Sequence, residues 1–189
     1  MIRYNIRAFA WAILGLGIIT FIVLFLYTKD VVSAFSSTVA VNIVIWIIFT
    51  KWAWKFKIFY SWLIPFPNLS GNWEGYLISS YLKDGKPLDP IPTKVVISQT
   101  FFNVQVQIQT GESKSFSTGA SFDIDSDRGL QQLFYSYLNT PKPSVRDRSE
   151  MHYGTTRLEF KGFIVNELEG EYWTSRKTTG ELHLKRKNA

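Results

Sequence analysis

Three side chains near the C-terminus could act together on a ligand. Tyr172, Thr174 and Arg176 alternate with the period of two that a β-strand shows, so all three should point to one face. An aromatic ring can stack, a hydroxyl can donate or accept a hydrogen bond, and a guanidinium can bind anionic oxygens. The three residues therefore suit ligand recognition, although core packing or a salt bridge at a barrel rim would use Tyr172 and Arg176 equally well.

Further aromatic and hydroxyl residues are in phase on two other predicted strands. The first strand aligns Trp73, Ser79 and Tyr81, and we favour a plug that packs a closed barrel end as the role of Trp73. The fifth strand aligns Tyr135 with Tyr137. The candidate ligand-binding residues are Trp73, Ser79, Tyr81, Tyr135, Tyr137, Tyr172, Thr174, Arg176 and Thr178.

The sequence carries none of the common signatures of an enzyme or a metal site. It has no cysteine, and its two histidines, His152 and His183, lack metal-ligand spacing. Asp123, Asp125 and Asp127 begin like a calcium-binding loop, but the glycine and the glutamate that such a loop requires are missing. Nucleophile-elbow, phosphate-loop and dinucleotide-binding patterns are absent as well. We therefore expect a binding module with no catalytic residue, metal or cofactor.

A barrel would bring the candidate residues together. From Ser70 onward, apolar and polar residues alternate in about eight short segments that are separated by turn residues, and no helical period interrupts them. Eight is the usual number of strands in a small closed barrel. We predict an all-β domain over residues 70–189, an eight-stranded up-and-down barrel, in which strands 114–125 and 155–165 each keep one face inward. The polar connection 141–150 is interpreted as a solvated loop rather than a lid.

Two uncharged apolar stretches precede the barrel, at residues 8–27 and 31–49. About 20 helical residues cross a hydrocarbon core of about 30 Å, so both stretches are long enough to span a membrane. We predict a two-helix transmembrane hairpin over residues 1–60 and a linker over 61–69. A cleaved signal peptide is the less favoured interpretation of the first stretch, because a second span follows and no cleavage motif intervenes.

Charge distribution predicts the topology of the hairpin. Residues 1–60 contain six Lys or Arg against one Asp, and these basic residues flank the two spans. The positive-inside rule then places both termini in the cytoplasm. The barrel is nearly neutral, with fifteen Lys or Arg against fourteen Asp or Glu, which argues against binding to a DNA or RNA duplex.

Two features of the anchor concern its contacts. Lysines and aromatic residues interleave over 51–68, as in segments that lie at the lipid headgroups. Ala34, Thr38 and Asn42 recur at helical spacing and would allow close helix packing and a hydrogen bond across a helix interface. Packing within one hairpin is the favoured interpretation of this seam, and association between copies is compatible with it.

Three short motifs make the chain similar to a known family. They are LSGNWEGY at 69–76, GEYWTSR at 170–176 and GEL at 180–182, and they follow two spans and an aromatic belt. In this order they resemble the two-transmembrane, β-strand-rich effectors of bacterial CBASS anti-phage systems. The resemblance implies that the barrel binds a cyclic dinucleotide made after infection. It also implies homo-oligomerisation on binding, disruption of inner-membrane lipid by the assembled helices, and cell death.

The candidate residues fit the ligand that the resemblance implies. A cyclic dinucleotide presents two base faces and two phosphates, which call for aromatic rings and for arginine or hydroxyl donors. The alternative is a membrane-anchored, lipocalin-like barrel that binds a protein partner or a lipid in an assembly role. A polar interior containing arginine would favour the nucleotide, because a lipid-binding barrel would be lined with apolar groups.

Overall fold

A computed structural model describes residues 6–83, 85–125 and 127–187. The chain forms two compact units, one that runs through Phe66 and one that begins at Pro67. The first unit is helical and the second is a β-barrel.

The first unit is built on two long helices, α1 (Ile6–Thr28) and α2 (Val31–Lys51). Lys29 takes a positive φ of 54° between them, and the Asp30 side chain caps α2 by accepting a hydrogen bond from the Ser33 N–H at 2.7 Å. Both helices are long and apolar enough to cross a membrane, and their apolar side chains are largely exposed.

A polar contact joins the two helices within one hairpin. The Asn42 amide donates to Thr20 Oγ1 at 2.8 Å and to the Thr38 carbonyl at 2.9 Å. Ala34, one helical turn before Thr38, is fully buried. This contact agrees with the favoured interpretation, packing within one hairpin, and association between copies through Ala34, Thr38 and Asn42 stays a prediction.

Two short 3-10 helices follow α2, at Ala53–Lys55 and Lys57–Phe59. Lysine and tryptophan are close neighbours here, and the Lys51 and Lys55 ammonium groups each lie 5.8 Å from the centre of an adjacent indole ring. Placement of this segment at the lipid headgroups stays a prediction.

The described residues of the second unit form ten strands, eight of which make a closed barrel. The strands are β1 (Gly71–Ser79), β2 (Leu82–Lys83), β3 (Lys86–Pro87), β4 (Ile91–Gln99), β5 (Val104–Gln109), β6 (Ser113–Asp125), β7 (Leu130–Pro141), β8 (His152–Glu159), β9 (Glu167–Thr174) and β10 (Thr179–Arg186). The barrel order is β1-β10-β9-β8-β7-β6-β5-β4, with β4 also paired to β1, and every pair is antiparallel. The predicted all-β, up-and-down barrel of eight strands is confirmed. The short strands β2 and β3 form a separate ribbon.

A β-bulge changes which side chains of β6 face inward. The register with β7 shifts between Ser117 and Gly119, so one extra residue is inserted in β6. Phe122 is 2% exposed inside the barrel, whereas Phe116, before the bulge, is 51% exposed outside it. The prediction that one face of 114–125 stays inward throughout is wrong for this reason.

Strand β8 begins and ends earlier than predicted. It covers His152–Glu159, and the chain turns at Gly162, where φ is +73° and the N–H donates to the Gln131 side chain at 2.7 Å. Ile164 beyond this turn is 74% exposed. The predicted inward face of 155–165 therefore ends near Phe160, because a turn replaces the final strand residues.

Trp73 plugs the end of the barrel at which the chain enters, called here the closed end. Its side chain is fully buried, and its indole N–H donates to the Leu69 carbonyl at 3.1 Å. The Arg186 guanidinium lies 4.4 Å from the centre of the indole ring and donates to the carbonyls of Val165, Ser70 and Asn68. Burial lowers the pKa of Arg186. The favoured interpretation of Trp73 as a plug agrees with this position.

Candidate ligand-binding site

The barrel interior divides into an apolar half and a polar half. Neighbouring strands place their inward side chains opposite one another, so the interior can be described as rows that run from strand to strand. One such row, nearer the closed end, is apolar: Leu133, Leu158, Gly170, Leu182 and Leu77.

The next row begins the polar half and is called the floor row. It crosses five strands through Tyr135, Thr156, Tyr172, Gly180 and Ser79. Four of these five residues carry a hydroxyl group. Burial raises the pKa of the Tyr172 phenol, and the Ser79 hydroxyl beside it opposes this shift.

Two further rows complete the polar half. The middle row consists of Ser117, Tyr137, Gly154 and Thr174. The rim row consists of Ser115, Asn139 and His152. Over β6 to β9 every side chain in these rows apart from glycine carries a hydrogen-bonding group, so this part of the wall can recognise a polar ligand, whereas on β5 the rim row continues through the apolar Ile108.

Two glycines make room for the tyrosine rings. A Cβ atom on Gly154 would lie 2.4 Å from the Tyr137 ring, and one on Gly180 would lie 2.5 Å from the Tyr172 ring. Both rings therefore lie against the barrel wall where any larger residue would displace them. This arrangement holds two flat aromatic surfaces within the polar half.

Arg176 places a positive charge at the polar end. It lies in the turn between β9 and β10, is exposed, and donates a hydrogen bond to Ser149 Oγ at 3.3 Å. Burial raises the pKa of the Tyr137 and Tyr172 phenols, and the nearby Arg176 charge opposes both shifts. Its charge also adds to the burial that lowers the pKa of His152, so the guanidinium acts on three groups of the polar half.

The rim and the adjoining turn are held by short hydrogen bonds. Ser115 Oγ donates to Asn139 Oδ1 at 2.8 Å, and His152 Nδ1 lies 2.9 Å from the Glu150 carbonyl. The hydroxyls of Thr174 and Thr178 are 2.6 Å apart, which fixes the turn that carries Arg176.

The connection between β7 and β8 reaches the turns on both sides of it. It contains a 3-10 helix, Pro143–Val145, and Lys142 N donates to the Glu112 carbonyl at 2.8 Å. Arg148 forms an ion pair with the Glu112 carboxylate, and Ser149 accepts the bond from Arg176. The loop interpreted as solvated is thus exposed over most of its length, but it contacts the turn that contains Glu112 on one side and the turn that contains Arg176 on the other.

The structure brings together seven of the nine candidate residues at the polar end. They are Ser79, Tyr135, Tyr137, Tyr172, Thr174, Arg176 and Thr178. Trp73 is separated from them, since it lies six residues from Ser79 along β1, a distance of about 20 Å. Tyr81 lies beyond the end of β1 and its side chain is 53% exposed, so the predicted alignment with Ser79 is wrong.

Sequence reasoning missed five polar residues of the polar half: Ser115 and Ser117 lie on β6, and the other three, Asn139, Thr156 and His152, lie on β7 and β8. Asn139 and Thr156 share the phase of Tyr137 and Leu158, so the alternation already contained a signal for both. His152 was missed because β8 starts three residues before the predicted strand. The burial of all three shows that their polar groups are enclosed by the barrel.

A depression of about 300 Å³ lies on the outer face of β1, β4 and β5. Its outward side chains include Glu74, Lys94 and Gln107, and Lys187 closes one side through an ion pair with Glu74 at 2.8 Å. The depression is open to solvent and holds no aromatic surface on its outward side chains. The polar half of the interior is therefore the better candidate for a ligand site.

The barrel has rings and hydroxyls inside its polar half and a guanidinium at the end of that half, which defines a receptor for a small polar ligand. Two helices that could cross a membrane precede it. The family model "Cap15, cyclic dinucleotide receptor domain" matches residues 64–186, which include all eight barrel strands. The chain belongs to this Cap15 family. The resemblance to CBASS effectors is thereby confirmed, and the domain is a cyclic dinucleotide receptor domain.

Two relatives support the assignment over most of the chain. The CD-NTase-associated protein 15 of Staphylococcus schleiferi is 35% identical over 153 residues, which cover 80% of this chain and 78% of the relative. The protein of the same name from Escherichia albertii is 24% identical over 168 residues, which cover 86% and 84%. Both matches are too long to fit within the barrel alone, so part of the anchor is also shared.

Proposed function

We propose that this protein is a membrane-anchored CBASS effector that binds its cyclic dinucleotide in the polar half of the barrel and responds by self-association in the membrane. The observation that carries the proposal is the polar half itself, where three adjacent rows expose polar groups to the interior. A barrel for lipid would be apolar throughout, so this lining argues against the lipid-binding alternative.

The polar half matches the ligand group by group. The rings of Tyr137 and Tyr172 offer stacking surfaces for two bases. Arg176 offers a cation for a phosphate, and its exposure at the polar end lets it meet a ligand as it enters. No residue of this site is asked to perform a reaction, so we propose a receptor rather than an enzyme, with the nucleotide as activating ligand and no cofactor.

Calorimetry on the full-length protein in lipid nanodiscs tests the binding site. A panel of cyclic dinucleotides with different bases identifies the ligand. Arg176→Ala and Tyr172→Ala should each weaken binding by about 1–3 kcal/mol, the range for a lost charge-assisted hydrogen bond or base stack.

Arg157→Ala is the matched control for the arginine variant. Arg157 lies on the outer face of β8 and pairs with Glu171 at 2.6 Å, so its loss should leave affinity unchanged. Equal affinity in wild type, Arg176→Ala and Tyr172→Ala would remove the polar half from the binding site. Absence of heat with every member of the panel would contradict nucleotide binding by this chain.

The proposed output is disruption of the inner membrane. Two helices cannot enclose an aqueous pore, so one copy would have little effect on a bilayer, whereas an assembly of copies can breach it. A ligand shifts this equilibrium only through higher affinity for the assembled state. In this proposal both termini are cytoplasmic, which gives the barrel access to a cytosolic messenger. Chemical crosslinking with and without ligand should show larger oligomers only when ligand is bound.

A further inference from the structure

The hydroxyls of Tyr135 and Thr156 lie in the floor row, on the border with the apolar half of the barrel. The two residues are opposite each other on β7 and β8, and their side chains are 2% and 1% exposed. Burial raises the pKa of the Tyr135 phenol, and Thr156 lies close enough to lower it. No hydrogen bond of standard geometry is made by either hydroxyl among the described residues.

This pair differs from the other hydroxyl groups of the polar half. Thr174 is paired with Thr178, Ser115 donates to Asn139, and Ser117 accepts a bond from the Val106 N–H. A buried hydroxyl without a partner lowers the stability of a fold, and buried polar groups in native proteins are nearly always bonded. Two such groups side by side inside one barrel point to a partner that arrives from outside the chain.

We propose that Tyr135 and Thr156 receive the hydrogen-bonding edge of a nucleotide base, so that the ligand binds with one base inward and its phosphates at the rim. This inference rests on the proposed function and adds the orientation of the ligand.

The surroundings of the pair select a neutral group. The adjoining row contains only leucines and a glycine, so a phosphate at this depth would be desolvated without a nearby cation. Arg176 lies instead in the turn at the polar end. A base edge carries donors and acceptors without charge, and each hydroxyl can donate as well as accept. A base that reaches the floor row also passes the Tyr137 ring in the middle row, on which it can stack.

Tyr135→Phe and Thr156→Val remove each hydroxyl with little change of shape. They should be made in the full-length protein in nanodiscs and compared by thermal unfolding without ligand. We expect each variant to be at least as stable as wild type, because it removes a buried polar atom that has no partner. Calorimetry with the member of a panel of cyclic di-AMP, cyclic di-GMP and cyclic di-UMP that binds wild type should show affinity reduced roughly 5- to 30-fold. Thr156→Ser keeps the hydroxyl and should keep most of the affinity.

Salt dependence separates a base edge from a phosphate. Removal of a phosphate contact makes binding less sensitive to salt, whereas loss of a neutral hydrogen bond does not. Arg176→Ala should therefore flatten the dependence of affinity on salt, while Tyr135→Phe should leave its slope unchanged. A flattened slope in Tyr135→Phe would overturn the inward base, since it would place an anion at the floor.

Two other results would overturn the inference. Wild-type affinity in both Tyr135→Phe and Thr156→Val would show that the ligand does not reach the floor row, and if Arg176→Ala still weakens binding, the proposed function survives. A clear loss of stability in both variants without ligand would show that the hydroxyls already stabilise the empty barrel. If wild type binds no member of the panel, the proposed function falls and the inference falls with it.

Discussion

Replacement of Gly154 by alanine should displace the Tyr137 ring. The added methyl would lie 2.4 Å from the ring carbon and oxygen of Tyr137, so the ring must move by about 1 Å to reach ordinary contact distance. Overpacking of this kind costs about 1–3 kcal/mol. The Trp173 carbonyl, 3.0 Å from the same point, limits escape in the other direction.

The dependence on Tyr137 gives the test its specificity. With Tyr137→Ala the obstructing ring is gone, so Gly154→Ala should then cost little, and the two changes should show a coupling energy of about 1–2 kcal/mol. Gly119 is the matched control, since an added methyl there would have no neighbour within 4 Å. Gly119→Ala should be close to neutral.

Thermal unfolding of the four members of the cycle measures the coupling. In a barrel of this size, 1 kcal/mol corresponds to roughly 4 °C in Tm, so Gly154→Ala alone should lower Tm by about 4–12 °C. It should also weaken ligand binding, because the stacking surface is displaced. An equal loss of Tm in the presence and absence of the Tyr137 ring would refute the placement of that ring over Gly154.

Three further predictions concern other parts of the molecule. Trp73→Phe removes the indole donor at the closed end and should cost about 1 kcal/mol in barrel stability without a change in ligand affinity; reduced affinity at unchanged Tm would contradict this. Asn42→Leu should weaken the hairpin by roughly 0.6 kcal/mol, measured by circular dichroism as a lower temperature of helix loss, and adding Thr20→Val to this variant should weaken the hairpin little further. Weaker assembly of copies with an intact hairpin would instead place the seam between copies. Burial lowers the pKa of His152, so the unfolded chain takes up a proton more readily than the folded one, and stability should fall as pH drops through about 6.5. His152→Gln should reduce this loss of stability, and an equal loss in both proteins would contradict the prediction.

Much of the architecture follows from local pattern. The two spans are uncharged over the length of a bilayer, and the alternation of Val104, Val106 and Ile108 with glutamines marks a half-buried strand without knowledge of its neighbours. Closure of the barrel was predictable because eight antiparallel strands leave two edges that can pair with each other.

The details that escaped prediction depend on contacts between strands. The bulge before Gly119 reverses the inward face of β6, and only the pairing with β7 shows it. The start of β8 at His152 is fixed by Asn139 on the opposite strand, since the intervening sequence has no clear alternation. The bulge acts because a shift of one residue moves a side chain to the other face of a sheet, whereas the error in β8 concerns only where the strand begins and ends.

The candidate site was predictable in composition but not in depth. Alternation placed Tyr172 and Thr174 on an inward face correctly. It could not reveal that Trp73 belongs to the closed end, because phase along a strand carries no information about position along the barrel axis. Nor could it show that Tyr135 and Thr156 lie opposite each other, since the register between β7 and β8 is set by the turn that joins them and by the packing of the whole barrel.

Ligand-triggered leakage of liposomes tests the central claim, that occupancy of the polar half drives the membrane helices. Full-length protein in dye-loaded liposomes is titrated with its cyclic dinucleotide, for wild type, Arg176→Ala and the outer-face control Arg157→Ala. We expect wild type and Arg157→Ala to leak at the same ligand concentration. Arg176→Ala should need a higher ligand concentration, by the same factor as its loss of affinity. Leakage by Arg176→Ala at the wild-type concentration, or leakage that does not depend on ligand, would contradict the central claim.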